Sequence, residues 1–352
     1  MLFISILILF GCLFANRVQA ASLRSLAEPY GVYMGAAINN IYFDEEEYVK
    51  ILGEEYSLAT SENSCKFAPT EPGQDDFSFT GCDSVLNMTR EKEMVFRGHN
   101  FVWGNNNPDW LEAISASGNA TELERVMIHH IHQVGKYYSN NAFAWDVVNE
   151  AVSDHHDFLK ANTWFPLIPD YIAKAFTAAR EAVGPDVKLF YNDYAVASAL
   201  GQTQAKSDRM YSVIKGLIDR KIPIDGVGFQ THIPLNYNAS GIRQNIERYG
   251  ALGLEVHLTE MDVSSANQWG PNEQQEQAQV YAAILDICLS LNQTCKNFET
   301  WGFTDKHTWK DTSHHPLPYD EYYQPKLAYT ALKETLQGNK SWVNAYWQRM
   351  KA

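Results

Sequence analysis

Basic charge, cysteine and long apolar runs are all scarce in this sequence. Lys and Arg number 28 against 42 Asp and Glu, a net charge of −14. That balance argues against nucleic acid or an anionic membrane surface as a partner and suits an uncharged substrate. Beyond residue 20 no stretch approaches the ~18 apolar residues that span a bilayer. No Ser/Thr/Pro-rich linker, low-complexity run or shift in composition divides the 352 residues, so one domain is expected over residues 21–352. The HExxH signature is absent. The histidines at 129, 130 and 132, at 155 and 156, and at 314 and 315 lack a further ligand at recognisable spacing, so neither metal nor cofactor is expected. No Gly-rich phosphate loop follows the first apolar run, which disfavours a doubly wound nucleotide-binding sheet.

What is present starts with the leader. Leu2 to Phe14 is almost wholly apolar, and Val18-Gln19-Ala20 offers the small residues a signal peptidase needs. Residues 1–20 therefore read as a secretory signal peptide, although Lys and Arg are missing ahead of the apolar run. The mature chain is expected to be secreted and extracellular, free of membrane contact, and to act as a monomer. Of the five cysteines, Cys12 leaves with the leader. Cys65, Cys82, Cys288 and Cys295 imply two disulfides with three possible connectivities, and the ease of closing short loops favours Cys65–Cys82 and Cys288–Cys295. Asn87, Asn119, Asn238, Asn292 and Asn339 open Asn-x-Ser/Thr sequons and are candidate glycosylation sites.

Short apolar runs recur along the chain, each followed by a segment of helical periodicity. The expected strands begin at Tyr33, Tyr56, Met94, Phe143, Lys188, Ile224, Leu254 and Phe298. Several are continuous apolar runs, as strands covered on both faces should be. Thr121 to Glu124 reads as a capping box opening a helix to about Tyr138. Further helices are expected over 170–183, 205–220, 241–252, 273–289 and 325–336. Eight strand–helix units in one domain predict an α/β fold of the (β/α)8 barrel type. Polar residues cluster at the C-terminal strand ends: Glu62 and Asn63, His99, Asn149 and Glu150, Asn192 and Asp193, Gln230 and His232, Glu260 and Asp262. The N-terminal ends carry far fewer, and a barrel gathers its active site at the C-terminal face.

Glu150 and Glu260 end the fourth and seventh expected strands, which lie across a barrel mouth from one another. Hydrolysis of a glycosidic bond needs one carboxyl protonated to assist the leaving oxygen and one ionised to attack or to activate water. Asp262 lies two residues beyond Glu260 and shares its strand face. His232, ending the neighbouring strand, is the natural bridge between those two acids. Trp103, Trp110, Trp301 and Trp309 lie in or just after strand ends, where indole rings can stack on sugar faces.

With these residues in place the sequence resembles glycoside hydrolase family 10, the endo-1,4-β-xylanases. ENSCK at 62–66, RGHNFVW at 97–103, WDVVNE at 145–150, YNDY at 191–194, GFQTH at 228–232 and TEMD at 259–262 match its motifs in order, with tryptophans at 301 and 309. The resemblance runs from about Tyr30 to about Leu336. It implies a barrel enzyme that cleaves xylan with retention, Glu150 as acid/base and Glu260 as nucleophile. Asn149 would hold the 2-hydroxyl, and His232 with Asp262 would keep Glu260 ionised. Glu62, Asn63, Lys66, His99, Trp103, Asn106 and Gln230 would line the glycone side, Trp301 and Trp309 the cleaved sugar, and Asn192 and Tyr194 the aglycone side. The Cys288–Cys295 pair resembles a disulfide of fungal members. The chain departs from the family at Gly104-Asn105-Asn106, where His-x-Gln is usual, and at Cys65 and Phe67, where Met and Trp are usual. Those departures bear on substrate choice. One alternative is a tomatinase-like enzyme that removes the tetrasaccharide of α-tomatine, and another is an inactive carbohydrate-binding relative.

Overall fold

The computed structural model describes residues 21–155, 157–266 and 269–351. The leader expected over residues 1–20 lies outside the described residues, as does His156. Among the described residues nine strand segments form the sheet: β1 Tyr33–Ile38, β2 Leu58–Ser61, β3 Val95–Trp103, β4 Ala142–Asn149, β5 Lys188–Asp193, β6 Gly226–Phe229, β7 His232–Pro234, β8 Glu255–Ser264 and β9 Cys295–Thr300. All pair in parallel. β1 to β6 follow one another, β6 joins β8, β8 joins β9, and β9 closes on β1. β7 prolongs the sixth barrel position, pairing further along β8 with His232 opposite Asp262. The sixth expected strand is thus one run broken at Gln230 and Thr231, where Thr231 takes a left-handed φ of 60°. Eight positions close a (β/α)8 barrel.

Helices separate the strands: Glu46–Glu55, Thr80–Glu91, Ala120–Tyr138, Tyr171–Val183, Gln204–Asp219, Ser240–Gly250, Pro271–Ser290 and Leu327–Leu336. Helix Ala120–Tyr138 shows how they attach. It turns Leu123, Val126, Met127, Ile131 and Val134 onto the sheet, each burial stabilising by about 1.5–3 kcal/mol. Its N-cap is Asn119, whose side chain accepts from Glu122 N. The expected capping box at Thr121 does not form, because the helix already runs through that residue. The first two barrel helices, which were not among the expected ones, bury Tyr48, Ile51 and Leu52 and Cys82, Val85, Leu86 and Met88 respectively. Both disulfides close as the short loops favour, with Cα separations of 4.9 Å for Cys65–Cys82 and 5.2 Å for Cys288–Cys295.

The barrel interior also holds ionisable groups, since Arg97, Asp146, His257 and Glu299 are all buried there. Arg97 pairs with Asp146 at 2.5 Å and meets His257 Nδ1 at 2.8 Å. Burial alone would push the Asp146 carboxyl up, but Arg97 and His99 outweigh it and hold it below the aspartate range. Burial raises Glu299 to about 8 and lowers His257 to about 4. These groups sit mid-strand, where the sequence shows only isolated charges within apolar runs. On the opposite, helix-facing side of the same strands Trp145 stacks flat on Phe101 (4.3 Å between ring centres) and meets Tyr138, beside Gly98, where a Cβ would lie 2.3 Å from the indole.

Candidate active site

Glu150 follows directly on β4, and its left-handed φ of 56° turns the chain at the mouth of the barrel. Its Oε2 accepts from Trp103 Nε1 at 3.1 Å and its Oε1 from Gln230 Nε2 at 2.9 Å. Glu260, within β8, is buried. Its Oε1 accepts from Asn192 Nδ2 at 2.6 Å, and its Oε2 lies 3.1 Å from His232 Nε2. The far side of that imidazole meets Asp262 Oδ2 at 2.6 Å. Burial by itself would lower His232, but the Asp262 and Glu260 carboxylates prevail and lift it to about 9. The imidazolium therefore bridges two carboxylates. Asp262 also accepts from Trp309 Nε1 at 3.0 Å and faces Lys310 at 3.4 Å.

A run of amides joins the two glutamates. Asn149 Oδ1 accepts from Asn192 Nδ2 at 2.9 Å and from Gln230 Nε2 at 3.3 Å. Those same two donors reach Glu260 and Glu150. Asn192 is fully buried, with its Oδ1 fixed by Thr259 Oγ1 at 2.7 Å. Its place in the structure is thus between Asn149, Thr259 and Glu260. Gly228 makes room for it, because a Cβ there would approach Asn192 Oδ1 to 2.2 Å. In GFQTH the glycine is the one sequence signal for this cross-strand contact.

The remaining predicted residues fall into distinct positions. Lys66 Nζ donates to Asn63 Oδ1 at 3.0 Å and stands 5.2 Å from the Trp103 ring. Burial draws Lys66 down, opposed by Glu260, Glu62 and Glu150, while burial also raises Glu62 against the pull of Lys66. The Glu62–Asn63–Lys66 cluster lies near enough to Glu150 and Glu260 for their charges to act on Lys66. His99 is held from below by Asp146 at 2.9 Å and meets Trp301 edge-on, 5.2 Å between ring centres. Trp301 is nearly buried, whereas Trp309 is half exposed. Asn106 is exposed on the loop after β3, with a left-handed φ of 57°. Trp110 belongs to packing instead of the cleft: it contacts Phe67 and donates to Glu71 O at 3.2 Å. Phe67 is itself buried, stacked on His130 at 3.6 Å. The histidines of the HHIH stretch point apart, His129 to Asp75, His130 to Glu71 and His132 to Glu181.

Sequence reasoning missed Lys160 and Lys206. Lys160 Nζ donates to Tyr194 Oη at 3.0 Å, and Lys206 Nζ lies 3.2 Å from the Tyr194 ring centre. Lysine carries no signal at these places in the chain, because a loop and a helix bring them to the site. Two carboxylates linked by amides, with indoles around them and neutral donors below, can cleave an acetal by paired acid and nucleophilic action.

Comparison with known proteins agrees with this chemistry. The description "Glycosyl hydrolase family 10" belongs to the family profile that matches residues 22–335. Endo-1,4-beta-xylanase B of Thermotoga neapolitana is 34% identical over 342 residues, covering 94% of this chain and 96% of its own. Endo-1,4-beta-xylanase A of Phanerodontia chrysosporium is 30% identical, covering 89% and 77%. The crystal structure of xylanase 10B from Thermotoga petrophila in complex with xylobiose superposes with a TM-score of 0.85 at 36% identity, covering 92% and 99%. The chain belongs to glycosyl hydrolase family 10.

Proposed function

We propose that the protein is a secreted endo-1,4-β-xylanase that hydrolyses xylan with retention of configuration. The observation that carries the reading is the amide-linked pair Glu150 and Glu260, with the His232–Asp262 ion pair behind Glu260. In the first step Glu260 attacks the anomeric carbon while Glu150 gives its proton to the departing glycosidic oxygen. Trp103 and Gln230 are hydrogen-bonded to Glu150 and can stabilise the carboxylate left behind. In the second step Glu150 takes a proton from water, whose oxygen displaces Glu260 from the sugar. Asn149, whose oxygen accepts from two amides, is free to donate toward a substrate hydroxyl.

Xylan as substrate is supported by the relatives named xylanase and by the solved neighbour that holds xylobiose. The tomatinase alternative is not favoured by these relatives. Secretion is supported by the apolar leader and by two disulfides, which suit an oxidising compartment. Reducing-sugar release from xylan, measured beside sugar release from α-tomatine with wild type and Glu260→Ala, tests the reading. Release from xylan that is abolished in the variant is expected. Activity on tomatine alone, or an unchanged variant, would overturn it.

A further inference from the structure

Ten residues after Glu150 the chain has doubled back on itself. Val152 and Leu159 form an antiparallel bridge, Ser153 N donates to Phe158 O at 3.1 Å, and Lys160 N donates to Ala151 O at 2.9 Å. This hairpin returns Lys160 to the catalytic mouth, with its Nζ 4.0 Å from Glu150 Oε2. Tyr194 tethers it: Lys160 Nζ donates to Tyr194 Oη at 3.0 Å, and that hydroxyl donates to Asp154 Oδ2 at 2.5 Å. The charged groups facing Lys160 come from four elements. Glu150 follows β4, Asp154 lies in the hairpin, Asp193 ends β5, and Lys206 opens helix Gln204–Asp219. Lys206 is held by Asp154 at 2.9 Å and by Asp193 at 3.0 Å. Among the described residues Glu150 is the carboxylate within ion-pair distance of Lys160. Burial draws the Lys160 ammonium down from the usual lysine range, while Asp193, Glu150 and Asp154 oppose that pull against Lys206.

We propose that Lys160 is a positioning residue for the acid/base, an ammonium that steadies Glu150 Oε2 and offsets the charge Glu150 gains as its proton leaves. The proposal rests on the reading of Glu150 as the proton donor. In the step concerned, the Glu150 proton passes to the glycosidic oxygen, the bond from that oxygen to the anomeric carbon breaks, and the bond to Glu260 forms. Lys160 keeps its own protons throughout. The two hydrogen-bond donors to Glu150, Trp103 and Gln230, are neutral, whereas Lys160 brings a positive charge within ion-pair distance of Oε2. Its effect scales with the charge that develops on Glu150, and hence with how far the leaving group depends on that proton.

A series of aryl β-xylobiosides separates this role from a structural one. Dinitrophenolate departs without a proton, whereas unsubstituted phenol needs one. Lys160→Met is expected to lower kcat/KM about 5- to 30-fold for the phenyl substrate, from the Coulomb energy of a unit charge at this distance, and less than about two-fold for the dinitrophenyl substrate. Lys160→Arg should restore most of the loss. Equal loss across the series, or none, overturns the proposal. If Lys160→Met does not fold, Tyr194→Phe, which frees the lysine from its tether, should give a smaller loss with the same dependence on leaving group. A uniform effect in that variant is likewise contrary. Wild type that cleaves none of these xylobiosides would instead overturn the assignment of function.

Discussion

His232 sits between two carboxylates, and its charge should be measurable as stability. Asp262 and Glu260 raise it from 6.5 to about 9 against the opposing effect of burial. Between those limits the folded protein holds a proton that the unfolded chain releases. The interaction is therefore complete below about pH 6.5 and is lost as pH climbs through about 9. At 1.36 kcal/mol per pH unit the whole effect is about 3 kcal/mol. Urea unfolding of wild type and His232→Asn from pH 6 to 10 reads it as a difference between the two stability curves. Wild type should lose about 3 kcal/mol relative to the variant across that range. An NMR titration of the His232 ring should show a midpoint near 9, as its two carboxylate contacts require. A midpoint near the ordinary 6.5, with parallel stability curves, would refute the imidazolium bridge.

Three further outcomes follow from other parts of the molecule. Asn192→Ala removes the amide shared by Asn149 and Glu260 and should lower kcat about ten- to hundred-fold; Gly228→Ala, which drives a methyl into Asn192, should lower kcat in the same direction and destabilise by about 1–3 kcal/mol. Steady-state kinetics with full activity in either variant would contradict the amide linkage. Glu299 keeps its proton up to about 8 because it is buried, so wild type should lose stability relative to Glu299→Gln as pH rises from about 5 to 8, by a few kcal/mol; coincident melting curves across that range would contradict it. Asn292 donates its Nδ2 to Tyr30 O at 2.9 Å, the atom a glycan would need. Mass spectrometry of protein from a glycosylating host should find Asn292 bare and the exposed Asn238 occupied.

The legible part of the site was whatever strand alternation alone determines. Glu260 and Asp262 lie near the end of an apolar run, where a period of two fixes their shared face. Glu150 closes another, although its left-handed turn, which lets it share the mouth with Asn149, is not written in that period. The barrel itself followed from eight such runs, even though the sixth is broken at Thr231. The contacts that needed three dimensions stayed hidden. Asn192 reaches Glu260 across two strand positions, and only Gly228 hints that space was left for it. Lys160 arrives through a hairpin, and no periodicity marks a residue returned by a turn. Trp110 was misplaced because proximity to a strand end in sequence says nothing of which way the following helix faces. The buried Arg97–Asp146–His257–Glu299 group was unreadable for a related reason: isolated charges within apolar strands look alike whether they point into the barrel or out to a helix.

In the proposed mechanism Glu260 forms a covalent bond to the sugar and Glu150 serves proton transfer. An activated aryl xylobioside carrying fluorine at the sugar's second carbon slows the second step and allows the intermediate to accumulate. Proteolysis and mass spectrometry of the inactivated enzyme then locate the label. One xylobiosyl adduct per chain is expected, on the peptide bearing Glu260. A label on Glu150, or inactivation without any adduct, would contradict it.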